Sequence, residues 1–229
     1  MMSGVEDKRT VVDPDSTMAH ELTVVFADLV RFTALADIHG DIRAADAASM
    51  LGEVTRAALG PENRLVKSVG DGVLLVGPNP VAGLQLAGAI IEGLHDLDAG
   101  LDARGGLHHG PVVRREDDVF GNTVNLAARL AELPPPGRLT VSRQIALSAG
   151  EADLAVTPRG CVELRGFREP VEVFEVDPCR HDGEWLTDPV CGMRLRAGDA
   201  IAPLSNTAEP VGFCSPRCAE LYAADARND

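Results

Sequence analysis

The chain has 229 residues, 45% of them hydrophobic, and a formal net charge of −14. That length and apolar content suffice for a full buried core, one domain plus a small companion. The negative balance argues against nucleic acid and anionic membranes as partners, because both require a positive field.

The first 20 residues are polar and rich in Asp and Ser, which predicts a mobile lead-in; they lack the charged-then-apolar layout of a signal peptide. No apolar run nears the roughly 18 residues of a membrane span, so a cytoplasmic protein is expected. Residues 22–27 form a short β-branched and apolar run ending at Asp28, the pattern of a buried central strand. Residues 41–59 predict a helix with Ala47, Met50, Leu51, Val54, Ala57 and Ala58 on one face and Gly60-Pro61 as its stop. Residues 64–69 and 73–76 predict a hairpin through Gly70, Asp71 and Gly72. Asn79 then caps a helix to about Leu97, with Pro80 at its favoured first position.

Strand signals follow at 103–109 and 112–114. From Asn122 a helical period places Val124, Ala127, Ala128 and Ala131 on a buried stripe and puts Asn125 and Arg129 together on an adjoining face. Three prolines and Gly137 break the chain, and a strand at 139–141 leads to a short helix at 143–147. Alternation predicts closing strands at 161–165 and 171–176. A polar linker, 179–185, separates a domain at 21–178 from a small module at 186–226 that holds Trp185 at its edge, Tyr222 and three of the five cysteines. An odd cysteine count in a reducing compartment suggests thiols or a metal site rather than disulfides.

A carboxylate at a strand end is, alone, commonly a turn former or cap. Paired, Asp28 at the end of its strand and Asp71 in the hairpin tip could hold hard divalent ions that bridge phosphate oxygens and offset the charge of a triphosphate inside an acidic protein. Asp118, Asn125 and Arg129, spaced by seven and four, add a carboxylate, an amide and a fixed cation suited to a sugar and a phosphate.

The blocks FADLVRFT at 26–33, KSVGD at 67–71 and DVFGNTVNLAAR at 118–129, with GLHHGP at 106–111 and LRGF at 164–167, resemble the signature blocks of class III adenylyl/guanylyl cyclases in order and spacing, over roughly residues 22–176. The resemblance implies an α+β fold: a ferredoxin-like, palm-type βαββαβ sandwich with an antiparallel-rich sheet and helices on one face. It implies two catalytic Mg²⁺ or Mn²⁺ ions on Asp28 and Asp71, and base recognition by Lys67 and Asp118. Asn125 would orient the ribose, Arg129 would stabilise the transition state, and Arg165 would lie near the terminal phosphates. A lysine donates to adenine N1 and a carboxylate accepts from its N6, whereas guanine offers the opposite polarity, so ATP is favoured over GTP. The family builds its sites between two catalytic domains, which implies a head-to-tail homodimer with shared active sites. Where the family usually has Gly, this chain has Arg31; three readings stand, a phosphate ligand, a residue that crowds the site, or a surface arginine. If Arg31 slows turnover, a second expectation is a catalytically weak nucleotide or metal sensor that keeps the cyclase fold.

DPVCGM at 188–193 and FCSPRC at 213–218, followed by an apolar helical tail, resemble the YHS domain, a small module associated with metal-handling proteins. Cys214 and Cys218 at i and i+4 point one way from a helix start, and Cys191 on a preceding turn could join them around Zn²⁺ or another soft ion. No fourth ligand is evident from spacing; Asp188 and water are the options, and buried, reduced packing cysteines are the alternative.

Overall fold

The structure, a computed structural model, describes residues 19–97, 99–179, 185–196, 198–201 and 211–225. In chain order the first elements are β1 (Ala19–Leu29), α1 (Phe32–His39), α2 (Asp41–Ala58), β2 (Arg64–Val69), β3 (Gly72–Gly77), α3 (Pro80–Asp96) and β4 (Ala103–Arg115). Next come β5 (Asp118–Phe120), α4 (Asn122–Ala131), β6 (Leu139–Ser142), α5 (Arg143–Glu151), β7 (Ala155–Val162) and β8 (Val171–Asp177). A C-terminal segment adds β9 (Trp185–Thr187), β10 (Arg194–Arg196) and α6 (Pro216–Asp225). None of the described helices is long and apolar enough to cross a membrane.

The main sheet runs β2-β3-β1-β4-β6-β8-β7, with β5 paired to the outer part of β4. Its pairs are antiparallel except β4 with β6. This is the expected antiparallel-rich α+β class with its βαββαβ order. β1 is central because it can be: Thr23, Val24 and Val25 have no exposed surface, and both of its edges are paired. It begins at Ala19, so the last two residues of the expected lead-in belong to the sheet, and the rest of that lead-in lies outside the described residues.

Alternation along β1 divides the core. Val25, Ala27 and Leu29 face Leu35 of α1, Leu51 of α2, Leu86 and Ile90 of α3 and Ile145 of α5. Val24 and Phe26 face the other way, with Leu74 and Val119, onto Ala127 of α4. Four helices thus cover one face, but α4 lies on the opposite one, so the helices are not confined to a single face as expected.

That helix sits unusually close. A Cβ on Gly106 of β4 would fall 2.1 Å from the Ala131 nitrogen and 2.4 Å from the Ala127 carbonyl oxygen, so the helix backbone rests on the strand with no side chain between. The Thr123 hydroxyl donates to the Pro111 carbonyl at 2.7 Å and fastens the N-terminal turn. The buried stripe is accordingly Thr123, Leu126, Ala127, Leu130 and Ala131. Ala127 and Ala131 of the expected stripe are thus buried, while Val124 and Ala128 are half-buried and Thr123, Leu126 and Leu130 take the rest of the buried face, because the helix is rotated to present its small residues to the glycine.

Other local expectations hold with small shifts. The hairpin and the α3 cap form as expected, with Asn79 Oδ1 accepting from the Ala82 N–H at 2.9 Å. β4 is one strand through Gly110 and Pro111 rather than two: β6 pairs only with residues 105–107, which leaves proline an open edge. β7 ends at Val162, and residues 163–165, expected as strand, turn away so that Leu164 packs with Leu126 and Leu130 of α4. Residues 180–184 of the expected linker lie outside the described residues. The C-terminal segment docks on the domain through Met193, which joins the main core, and through the Arg194 N–H, which donates to the Gly100 carbonyl at 2.9 Å.

Gly106→Ala should destabilise the domain by about 3 kcal/mol, since backbone atoms cannot step aside as flexible side chains do. Urea denaturation measures it, and a loss below about 0.5 kcal/mol would show that α4 can lift off the strand without cost.

Candidate active site

The pairing of Asp28 with Gly72, and the Leu29 N–H donating to the Asp71 carbonyl at 3.0 Å, set the two carboxylate residues side by side at the end of the sheet. Asp28 shares the α4 side of β1 with Phe26. Arg104, its register partner on β4, reaches the Asp28 Oδ2 at 3.4 Å, while Oδ1 is buried with no hydrogen-bond partner among the described residues. Burial pushes the Asp28 carboxyl above the usual carboxylate range; Arg104 pulls it back only in part, and the charge of Asp71 adds to the rise. Two adjoining carboxylates, one with an orphaned buried oxygen, are a donor set that fits a hard divalent cation.

Lys67 lies opposite Leu74 in the β2–β3 ladder and so shares the α4 side of the sheet. Its Nζ donates to Asp118 Oδ2 at 2.6 Å, because β5 folds back across the sheet toward β2 and the Arg64 guanidinium holds the Asp117 carbonyl at 3.1 Å. The Lys67 hydrogen bond, with help from the Val119 N–H, holds the Asp118 carboxyl below its usual range. Asn125 is exposed on α4, and Arg129, one turn on, forms an ion pair with Glu132. Arg165 is exposed in the turn after β7, and among the described residues no hydrogen bond or ion pair joins it to the rest of the expected site.

The α4 side of the sheet therefore carries Asp28, Lys67, Asp118, Asn125 and Arg129, with Asp71 in the hairpin tip next to Asp28. Among the described residues no hydrogen bond or ion pair joins the two aspartates to Asn125 or Arg129 directly; Arg104 links the groups instead, through Asp28 on one side and the Glu132 carbonyl at 3.2 Å on the other. Arg104 was not singled out from the sequence, where it is one polar residue in an alternating strand. Only the register with β1 gives it meaning.

Arg31 caps the start of α1 with φ 51° and ψ 37°, a left-handed conformation, and its side chain is exposed. Glycine adopts that conformation freely and other residues pay about 1–2 kcal/mol.

The three C-terminal cysteines gather as expected, Cys214 Sγ lying 3.4 Å from Cys191 Sγ and 3.6 Å from Cys218 Sγ. A residue that sequence spacing could not supply stands with them: His39, the last residue of α1, has its Nε2 3.5 Å from Cys214 Sγ. Asp188 is not the fourth member. Its carboxylate accepts the N–H groups of Val190, Cys191 and Cys214 at 2.8, 3.2 and 2.8 Å, and although burial pushes it up, those donors hold it below the usual range. Cys179 is buried with its thiol raised to about 12 by burial, and Cys161 is exposed in β7; neither joins the cluster.

A family model described as the adenylate and guanylate cyclase catalytic domain matches residues 15–177. A pH-sensitive adenylate cyclase of Mycobacterium tuberculosis is 32% identical over 166 residues, 69% of this chain and 41% of that protein. An adenylate cyclase of Glutamicibacter nicotianae is 32% identical over 158 residues, 67% of this chain and 38% of that protein. The chain thus spans less than half the length of these curated relatives. Among solved structures, the adenylyl cyclase CyaB of P. aeruginosa aligns with a TM-score of 0.63 at 23% identity, covering 73% of this chain and 98% of that one. Adenylate cyclases of Trypanosoma brucei align with a TM-score of 0.61 at 22% identity, over 75% of this chain and 95% of that one. These likenesses share the fold described above.

A carboxyl raised in the folded state favours the fold at low pH, and that contribution is lost as pH rises through the raised value; ionised Asp28 therefore weighs against the fold at neutral pH. Asp28→Asn should leave the metal-free protein as stable or more stable at pH 7, with the difference shrinking below about pH 4, where the unfolded carboxyl is protonated. Thermal melts in chelator at both pH values check this, and a lower Tm for the variant at pH 7 would contradict it.

Proposed function

The chain belongs to the adenylate and guanylate cyclase catalytic domain family, and from that membership we propose that it is an adenylate cyclase, forming 3′,5′-cyclic AMP and pyrophosphate from ATP at sites shared between two copies of the chain. The observation that carries the ATP assignment is the Lys67–Asp118 pair, whose 2.6 Å contact sets an amino group beside a carboxylate on the α4 side of the sheet. Opened by a base, the pair offers a donor to N1 and an acceptor to N6, the edge that adenine presents and guanine inverts.

Asp28 and Asp71 would hold two Mg²⁺ or Mn²⁺ ions. Bound there, such ions neutralise the triphosphate and acidify the ribose 3′-hydroxyl. Asn125 orients the ribose so that its 3′-oxygen faces the α-phosphorus. Arg129, released from Glu132, places its guanidinium on charge that develops at the phosphate, and Arg165 serves the terminal phosphates. The pairing of two copies is supported by the apolar residues flanking these groups: Val69 beside the hairpin tip is 66% exposed, Phe120 just before α4 is 49% exposed and Leu133 just after it is 41% exposed. Cavities of about 650 and 440 Å³ lie where the C-terminal segment meets the domain, and one of about 480 Å³ lies in the turn that holds Arg165. Residues 186–226 would act as a YHS-like, metal-responsive module.

Purified protein with ATP and Mn²⁺ or Mg²⁺ should yield cyclic AMP, and Asp28→Ala should lower the rate on the order of 100-fold or more, the several kcal/mol that metal-borne charge stabilisation supplies. Product no greater than in the Asp28→Ala control would leave the weak sensor as the reading. Exchanging Lys67→Glu and Asp118→Cys together should shift the GTP-to-ATP ratio of kcat/KM by about 100-fold toward GTP, two hydrogen bonds of about 1.5 kcal/mol each; an unchanged ratio would remove both residues from base recognition.

A further inference from the structure

The cysteine cluster is not confined to the C-terminal segment. All four candidate ligand atoms, one each from His39, Cys191, Cys214 and Cys218, lie within 4.8 Å of one another. Cys191 Sγ, His39 Nε2 and Cys218 Sγ lie 3.4, 3.5 and 3.6 Å from Cys214 Sγ. A tetrahedral ion with metal–sulfur bonds of about 2.3 Å and a metal–nitrogen bond of about 2.0 Å has ligand edges of about 3.5 to 3.8 Å. The sulfur separations are far beyond the roughly 2.05 Å of a disulfide, and three thiols cannot all pair with one another.

We propose that His39, Cys191, Cys214 and Cys218 form a closed site for a zinc-class ion, and that its fourth ligand comes from α1 of the catalytic domain, so that loading the metal fastens the C-terminal segment to that helix.

The surroundings are those of a structural site. Cys191 and Cys218 are 1% and 0% exposed, and Phe213, also buried, packs with them and with Ile38. Asp188 holds the two ligand-bearing loops together by taking the N–H groups of Cys191 and Cys214, and the Ser215 hydroxyl accepts the N–H of Cys218 at 3.3 Å. Three sulfurs and an imidazole leave no open position for substrate, and they select a thiophilic ion over the Mg²⁺ or Mn²⁺ suited to Asp28 and Asp71. The reach of the site follows from α1. That helix starts right after Arg31, three residues beyond Asp28, and ends at His39. Gly192, next to the ligand Cys191, packs on Val30 and Arg31: a Cβ there would meet both at 3.0 Å. The C-terminal segment thus grips α1 at both ends, and the ion supplies one of the two grips.

The test uses the full chain, reduced and freed of metal, titrated with Co²⁺ and then Zn²⁺. One equivalent of Co²⁺ should produce tetrahedral visible bands with thiolate charge transfer, absent from all-oxygen sites, and Zn²⁺ should displace it. His39→Ala should weaken binding at least about tenfold, the least that loss of even an outer-shell partner costs. His39→Cys should restore it with a more sulfur-rich spectrum. Hydrogen exchange of the α1 amides should slow on metal binding in the wild type and in His39→Cys. The proposal is overturned if the reduced wild type binds no Co²⁺ through its thiols, if His39→Ala keeps the wild-type affinity and spectrum, or if α1 exchange ignores the metal. The His39→Cys variant and the wild-type exchange data decide should His39→Ala not fold. None of these readouts depends on cyclic AMP formation, so they stand apart from the cyclase assignment.

Discussion

The contact on which the arrangement of this protein depends is the seat of α4 on β4 at Gly106. Helices ordinarily meet a sheet across a layer of side chains, and their rotation about the axis then has some latitude. Here the Ala127 carbonyl and Ala131 nitrogen occupy the volume a Cβ would take, so the helix can sit in one rotation only. With Ala127 and Ala131 inward, Asn125 and Arg129 are turned outward. They come to share a side of the sheet with Asp28 and Lys67, whose own positions are set by strand pairing. The same strand carries Arg104 two residues before Gly106, hence on the same face, where it reaches both Asp28 and the carbonyl at the end of α4.

What could be read from the sequence follows the range of the forces involved. The hairpin around Asp71 and the cap and proline that start α3 are local devices, and each forms where its residues predict. Of the expected α4 stripe Ala127 and Ala131 are buried, but its other edge falls on Thr123, Leu126 and Leu130 rather than on Val124 and Ala128, because the rotation of the helix is set by a glycine in another element. The strand through Pro111 was divided because the open edge that tolerates proline is a property of β6's short register, not of the proline's neighbours. α1 gave no signal: eight residues make two turns, and the helix begins from a left-handed arginine where a capping side chain is normally sought. His39 is the extreme case, 152 positions before Cys191, and no spacing rule spans that distance. The hint in the sequence was the deficit itself, three thiolates without a fourth ligand.

The charge distribution eases the tension between a net charge of −14 and the polyanionic substrate proposed for the chain. The cations Lys67, Arg104 and Arg129 are drawn to the α4 side, and each is engaged with an acidic side chain, Asp118, Asp28 and Glu132 respectively. Such pairs keep a cationic site from repelling its own members while empty, and each can exchange its partner for a phosphate or a base edge at modest cost, since the pairs are partly exposed. Asp28 is the exception. One of its oxygens is buried and has no hydrogen-bond partner among the described residues, a cost that Arg104 offsets only in part, as expected where stability yields to binding.

Arg31 and Gly192 join these themes. The start of α1 requires a left-handed residue, and glycine would meet that requirement without strain; yet the glycine is found on the other side of the contact, at Gly192, itself at φ 77°. One of two touching backbones must lack a Cβ, and the left-handed turn must be taken by someone. Because Gly192 is the residue that gives way, Arg31 retains a Cβ and bears the strain. Such strain persists only where the surroundings hold it, and here the surroundings are the docked C-terminal segment. The strained residue stands between Asp28 and the helix whose far end reaches the cysteine cluster. The ligation proposed for His39 would therefore bear on the link between Asp28 and α1, and through it on the edge of the sheet where Asp28 and Asp71 are proposed to hold metal.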